Sequence, residues 1–150
     1  MNPTTDTFLI QPYLFFDGRC EEAVEFYKSS LGAEVQFLMR YNESPEPQPP
    51  DCAPVPGEKI MHAQIRIGQS VVLLSDGRAE GRLNFDGFSL SVSVPTEADA
   101  DRIFDALADG GETLMPLAKT FFSARFGMVN DRFGVMWMVM VAQENPAPRK

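Results

Sequence analysis

A chain of 150 residues with 44% hydrophobic and 23% charged side chains can bury an ordinary core without disulfides. Its formal net charge of -8 argues against nucleic acid, because phosphate binding needs clustered Lys and Arg. One histidine and two thiols, Cys20 and Cys52, supply no zinc cluster. The opening MNPTTDTF has no basic stretch ahead of an apolar one, and no run approaches the ~20 apolar residues that cross a bilayer. These features predict a cytoplasmic protein with reduced thiols and no membrane or nucleic-acid partner.

Phe8 to Phe16 (FLIQPYLFF) reads as a strand, followed by the turn signal Asp17-Gly18. Cys20 to Leu31 places Ala23, Val24, Phe26, Tyr27 and Leu31 at helical spacing. Glu21 and Glu22 favour its positive end, and Gly32 fits a helix-terminating position. Glu34 to Tyr41 is the next strand. Asn42 to Glu58 is rich in proline and acid and reads as a loop, either a lid or a plain solvated connection. Ile60 to Ile67 and Val71 to Ser75 form a hairpin around Gly68-Gln69. Asp76 to Arg82 is a second loop.

The order then repeats. Phe88 to Val94 alternates apolar and polar residues, as a two-faced strand does. Thr96 caps a helix through Leu107, ended by Gly110-Gly111. Glu112 to Leu117, Phe121 to Val129 and Val135 to Val141 are three more strands, the last two joined through Asp131 to Gly134. The tail QENPAPRK reads as a frayed end. Strand, helix and three strands thus occur twice, with module one at about 8–76 and module two at about 86–141 of a single domain.

The runs YLFFDGRCEEAVEFYKSSLGAE, IMHAQIRIGQSVVLLSD and ADRIFDALADGGETLMPLAKTFFSARFGMVNDRFGVMWMV resemble the PhnB-like family of the vicinal oxygen chelate superfamily. That superfamily is also called glyoxalase/bleomycin resistance/dioxygenase. The resemblance implies an α+β fold in which two βαβββ modules form an incompletely closed mixed barrel around a central cavity. It also implies a homodimer. Superfamily members commonly hold a metal through His, Glu or Gln on the first and last strands of the modules. Here those positions fall near Pro12, with Gln11 or Tyr13 as neighbours, and at Ser89 and Met138. A hydroxyl and a thioether do not suit a catalytic divalent ion, so no metal is expected. Such proteins often carry a demethylubiquinone methyltransferase label. No Gly-rich strand–turn–helix fingerprint for a nucleoside is present, so no cofactor is expected either.

In such a fold each strand turns one face to its helix and one to the cavity. Parity sets Met61, Ala63, Ile65 and Ile67 against the helix and His62, Gln64 and Arg66 toward the cavity. It likewise sets Ser89, Ser91 and Ser93 toward the cavity. His62, the single histidine, is the candidate acid or base, or else a hydrogen-bonded sheet residue. Cys20 near a helix start is either a lowered-pKa thiol or a plain packing residue. Tyr13, Phe15, Phe121, Phe122, Phe126 and Trp137 are candidates for an aromatic box, although most of such a set is ordinary core. Arg125 is either an anion anchor or a solvated strand charge.

The expected ligand-binding set is therefore Gln11, Tyr13, His62, Gln64, Arg66, Ser89, Ser91, Phe122, Arg125 and Met138. The expected activity is metal-independent binding or sequestration of a small organic molecule. The competing expectation is a small-metabolite enzyme, an isomerase, lyase or glyoxalase-like catalyst, using His62.

Overall fold

A computed structural model describes residues 7–50 and 54–142. Cys52 and the polar tail from 143 lie outside the described residues. The chain divides into two units, Met1–Arg82 and Leu83–Lys150. Each is one four-stranded mixed sheet with one helix, so the class is α+β.

Unit one contains β1 (Tyr13–Phe15), α1 (Cys20–Leu31), β2 (Glu34–Arg40), β3 (Ile60–Ile67) and β4 (Ser70–Ser75). Its strand order is β1-β4-β3-β2, with β1 and β4 parallel and the other pairs antiparallel. The helix buries Ala23, Val24, Phe26 and Tyr27, the stripe that periodicity set out. Leu14, Phe16, Ala63, Ile65, Val72 and Leu74 are buried on the alternate strand positions. Gly32 ends α1 at φ 67°, a left-handed conformation that glycine enters without a Cβ clash.

One carboxylate fastens three parts of this unit. Asp76, 1% exposed at the end of β4, accepts hydrogen bonds from the backbone N–H groups of Gly18, Cys20 and Ile60 at 2.9, 2.7 and 2.6 Å. It therefore caps the start of α1 and holds the start of β3 together. Charge-assisted bonds of this kind are shorter and stronger than neutral ones.

Three expectations for unit one are corrected, two of them in its strands β1 and β3. The strand expected from Phe8 to Phe16 is only Tyr13–Phe15. Pro12 has no N–H for a ladder, and Phe8, Leu9 and Ile10 ahead of it are 69, 76 and 96% exposed. Met61 does not join the helix-facing set either. Met39 pairs with His62 and Arg40 with Ile60, so Met61 is an extra residue in a bulge. Ile60, fully buried, takes its place.

The Pro-rich connection is pinned at its neck. Tyr41 N donates to Lys59 O at 3.0 Å and Asn42 N to Gly57 O at 3.0 Å. Farther out, the Gln48 amide meets both backbone groups of Val55 at 2.7 and 2.8 Å. Residues Tyr41–Glu43 make a short 3-10 turn where sequence alone ran the strand through Tyr41.

Unit two contains β5 (Leu90–Val94), α2 (Glu97–Ala108), β6 (Glu112–Ala118), β7 (Phe126–Asn130) and β8 (Met136–Val141). Its order, β5-β8-β7-β6, repeats that of unit one, with the first pair again parallel. Thr96 Oγ1 accepts from Asp99 N at 3.1 Å, the expected helix cap. Gly127 faces the helix: a Cβ there would lie 2.8 Å from a ring carbon of Phe104. The strand expected over Phe121 to Val129 begins at Phe126, after a bend in which the Thr120 and Ser123 side chains take up backbone bonds. Buried Asp131 accepts from Phe133 N, Val135 N and Trp137 Nε1, closing the β7–β8 hairpin.

Candidate functional site

Unit one holds a candidate site. On the sheet face away from α1, Tyr13 and Phe15 of β1 sit with ring centroids 4.9 Å apart. Tyr13 Oη lies 3.1 Å from His62 Nδ1, and the two rings stack at 5.6 Å. In the tautomer with its proton on Nε2, the imidazole accepts the phenol hydrogen bond. Phe37 flanks the same imidazole at 5.9 Å. Gln64 donates to Gln36 at 2.7 Å, and Arg66 pairs with Glu34 at 2.5 Å. His62, Gln64 and Arg66 thus share the face opposite buried Ala63 and Ile65, as parity predicts. Two of the three are already bonded to neighbours on β2.

Beside them is a cleft of about 470 Å³. Tyr13, Phe15, Tyr41 and Met61 line it with aromatic and thioether surface, and Asp17, Ser75, Arg78 and Glu80 are its polar lining. Met61 reaches it because of the bulge. Phe15 covers Gly77, where an added Cβ would lie 3.1 Å from its ring. Tyr41 Oη donates to Gly77 O at 2.7 Å, and burial raises the phenol pKa above its ordinary value. Asp17 is committed to the loop, accepting from the backbone N–H groups of Glu80 and Arg82. The sequence reading missed Asp17, Tyr41, Met61, Ser75, Gly77, Arg78 and Glu80 as site residues. The available signal was the pair of turns Asp17-Gly18 and Asp76-Gly77, which follow two parallel, adjacent strands and so open at the same edge.

The other expected residues fall elsewhere. Gln11 precedes β1 and lies outside it. In unit two, Ser91 pairs in register with Met138 on the face away from α2, while Ser89 precedes β5. Phe122 stacks edge-on with Phe126 at 5.0 Å in the bend before β7. Arg125 is corrected: its guanidinium turns to α2 and donates to Asp101 at 2.6 Å, with Glu97 nearby, so it forms an ion pair with the helix. Trp137 and Phe121 leave the aromatic set. Trp137 is 4% exposed and bonded to Asp131, and Phe121 is 96% exposed. Cys20 is fully buried, and that burial, with Asp76 and Glu21 nearby, pushes its thiol pKa well above the ordinary value. It is a packing residue with a suppressed thiolate.

The residues at the superfamily's metal positions do not fit a divalent ion. Pro12 offers a carbonyl that already accepts from Leu73 N, Ser89 a hydroxyl and Met138 a thioether. Among the described residues no three His, Cys, Asp or Glu side chains are grouped to hold one.

Two four-stranded sheets of this order, each with one helix, are the fold of a solved glyoxylase/bleomycin resistance protein/dioxygenase domain from Frankia sp. EAN1pec, which is 17% identical with a TM-score of 0.56 and covers 89% of this chain and 94% of that one. Within that fold class, the chain belongs to the PhnB-like family whose model is described as 3-demethylubiquinone-9 3-methyltransferase and matches residues 9–140. It is 34% identical over 143 residues to Protein YjdN of Escherichia coli K12, covering 91% of this chain and 97% of that one. The crystal structure of PA1353 from Pseudomonas aeruginosa is 39% identical with a TM-score of 0.79, covering 92% of this chain and all of that one. The PhnB protein of Bacillus cereus is 31% identical with a TM-score of 0.74, covering 90% and 100%.

Proposed function

We propose that this protein binds and sequesters a small organic molecule, without a divalent metal, in the cleft of unit one. The observation that carries the reading is the lining of about 470 Å³ by Tyr13, Phe15, Tyr41 and Met61. A space of that size, mostly apolar with a few polar groups in its lining, suits a planar organic guest. The unsuitable donors Ser89 and Met138 favour binding over metal-assisted chemistry. The site set proposed for the guest is Tyr13, Phe15, Tyr41 and Met61, with His62 reached through Tyr13.

A second reading, an isomerase- or lyase-like enzyme, has one specific support. The Tyr13 phenol fixes the orientation of His62, as an acid–base imidazole requires. The strand neighbours Gln64 and Arg66, which could hold a substrate against Nε2 of His62, are engaged with β2. We also infer a homodimer, supported by the exposed apolar side chains Phe8, Leu9 and Ile10.

The test is a thermal-shift screen of aromatic small molecules on the wild type, repeated with Phe15→Ala and Tyr41→Phe. The reading expects compounds that raise the melting temperature of the wild type and lose that effect in Phe15→Ala. Shifts that persist undiminished in both variants overturn the site. One equivalent of zinc, nickel, manganese or iron per chain in the purified protein overturns the metal-independent part.

A further inference from the structure

Five of the eight methionines of the chain fall on one face of one sheet. On β8, Met136, Met138 and Met140 alternate with Trp137 and Val139, which are 4% and 0% exposed beneath α2. The three methionines therefore point to the other side of the sheet. On β7, Met128 lies between Gly127, which faces Phe104 of α2, and fully buried Val129, so it joins them. On β6, Met115 pairs with Met128. Met128 pairs in turn with Met138, and Met138 with Ser91. Met115, Met128 and Met138 thus form a single row across three adjacent strands. Met115 is 45% exposed, and the other two are partly exposed.

We propose that this row is a binding site for a soft monovalent ion of the copper(I) type, held by the thioethers of Met115, Met128 and Met138. Neighbouring strands are about 4.8 Å apart, so the outer two backbones stand about 10 Å from each other. A methionine has three rotatable bonds to bring its sulfur over the central strand, and thioethers are selective for Cu(I) over hard divalent ions. Ser91 in the row and Ser93 and Asn130 beside it offer only neutral oxygens, and Glu112, in register with Asn130, brings one exposed carboxylate to the same face. The same Met138 that spoils the position for a divalent ion supplies the soft donor here. The inference does not depend on the cleft of unit one.

The experiment uses Cu(I) under anaerobic conditions in competition with a chromogenic Cu(I) chelator, and Ag(I) as a stand-in that does not redox-cycle. The Cys52 thiol would bind both ions, so the parent is the Cys52→Ser variant of the full chain. The expected result is one ion per chain, with shifts of the ε-methyl NMR signals of Met115, Met128 and Met138. Met128→Leu and Met138→Leu keep the apolar volume and are expected to abolish binding while leaving the melting temperature near the parent's. Zn(II) is expected to shift none of these signals. If the parent yields all copper to the chelator, or if the double variant Met128→Leu/Met138→Leu retains it, the row is an apolar lining only and the proposal fails.

Discussion

Replacing Asp76 with alanine tests the buried carboxylate as the fastener of unit one. The change strands three backbone donors, those of Gly18, Cys20 and Ile60. The bonds from Cys20 and Ile60 are buried, while water reaches the neighbourhood of Gly18. A buried donor left without a partner costs about 1–3 kcal/mol, so two of them cost about 2–6 kcal/mol. That is a large share of a typical stability of about 5–15 kcal/mol. Asp76→Asn separates the contributions. Its remaining oxygen can still serve Gly18 and Cys20, but its NH2 opposes the Ile60 N–H. It should lose one buried bond, about 1–3 kcal/mol. Urea unfolding followed by far-UV circular dichroism gives both numbers. The reasoning is refuted if alanine costs less than about 1 kcal/mol or if asparagine costs as much as alanine.

Native Cys20 should resist alkylation by iodoacetamide at neutral pH, with mass-spectrometric mapping showing its modification only in urea, because burial raises its thiol pKa. Tyr41 should ionise after an ordinary tyrosine in an absorbance titration near 295 nm. Its folded pKa lies above the usual 10.0, so its contribution to stability is complete below pH 10.0 and declines as pH rises from there through the folded value. Tyr41→Phe should remove that late-titrating signal. Thr96→Ala removes the acceptor for Asp99 N and should cost about 1 kcal/mol in chemical denaturation.

The element order was legible because local signals agreed. The apolar stripe of α1, the Thr96 cap and the glycine after α1 each pointed to the boundary that the structure has. Parity succeeded where the strand was regular, at Ala63 to Arg66, and failed where one residue was added. A bulge at Met61 depends on pairing with β2, which a single strand's sequence does not carry. Arg125 was misread for a different reason. Its parity with Gly127 and Val129 within the expected strand Phe121 to Val129 already set it on the helix side, but the faces of that strand were not sorted. Tyr41 was beyond local reading, since its partner Gly77 is 36 residues away. The cleft was missed because it is made by strand ends and turns, whereas the search followed strand faces.

The pinned neck of the Pro-rich connection has a bearing on how this chain can be altered. Since Tyr41 and Asn42 are bonded to Lys59 and Gly57, the chain leaves and re-enters the sheet at nearly one point. What lies between sets neither the register of β2 nor that of β3. Lengthening a closed loop is inexpensive, about 0.6 kcal/mol for each doubling. A reporter peptide or an epitope spliced in between Glu46 and Pro47 would project from the neck, leaving Met61 and Tyr13 where they are. That makes the segment a natural port for insertion, whether by an engineer or by descent, in a sheet whose other hairpin, β3–β4, turns on only Gly68 and Gln69.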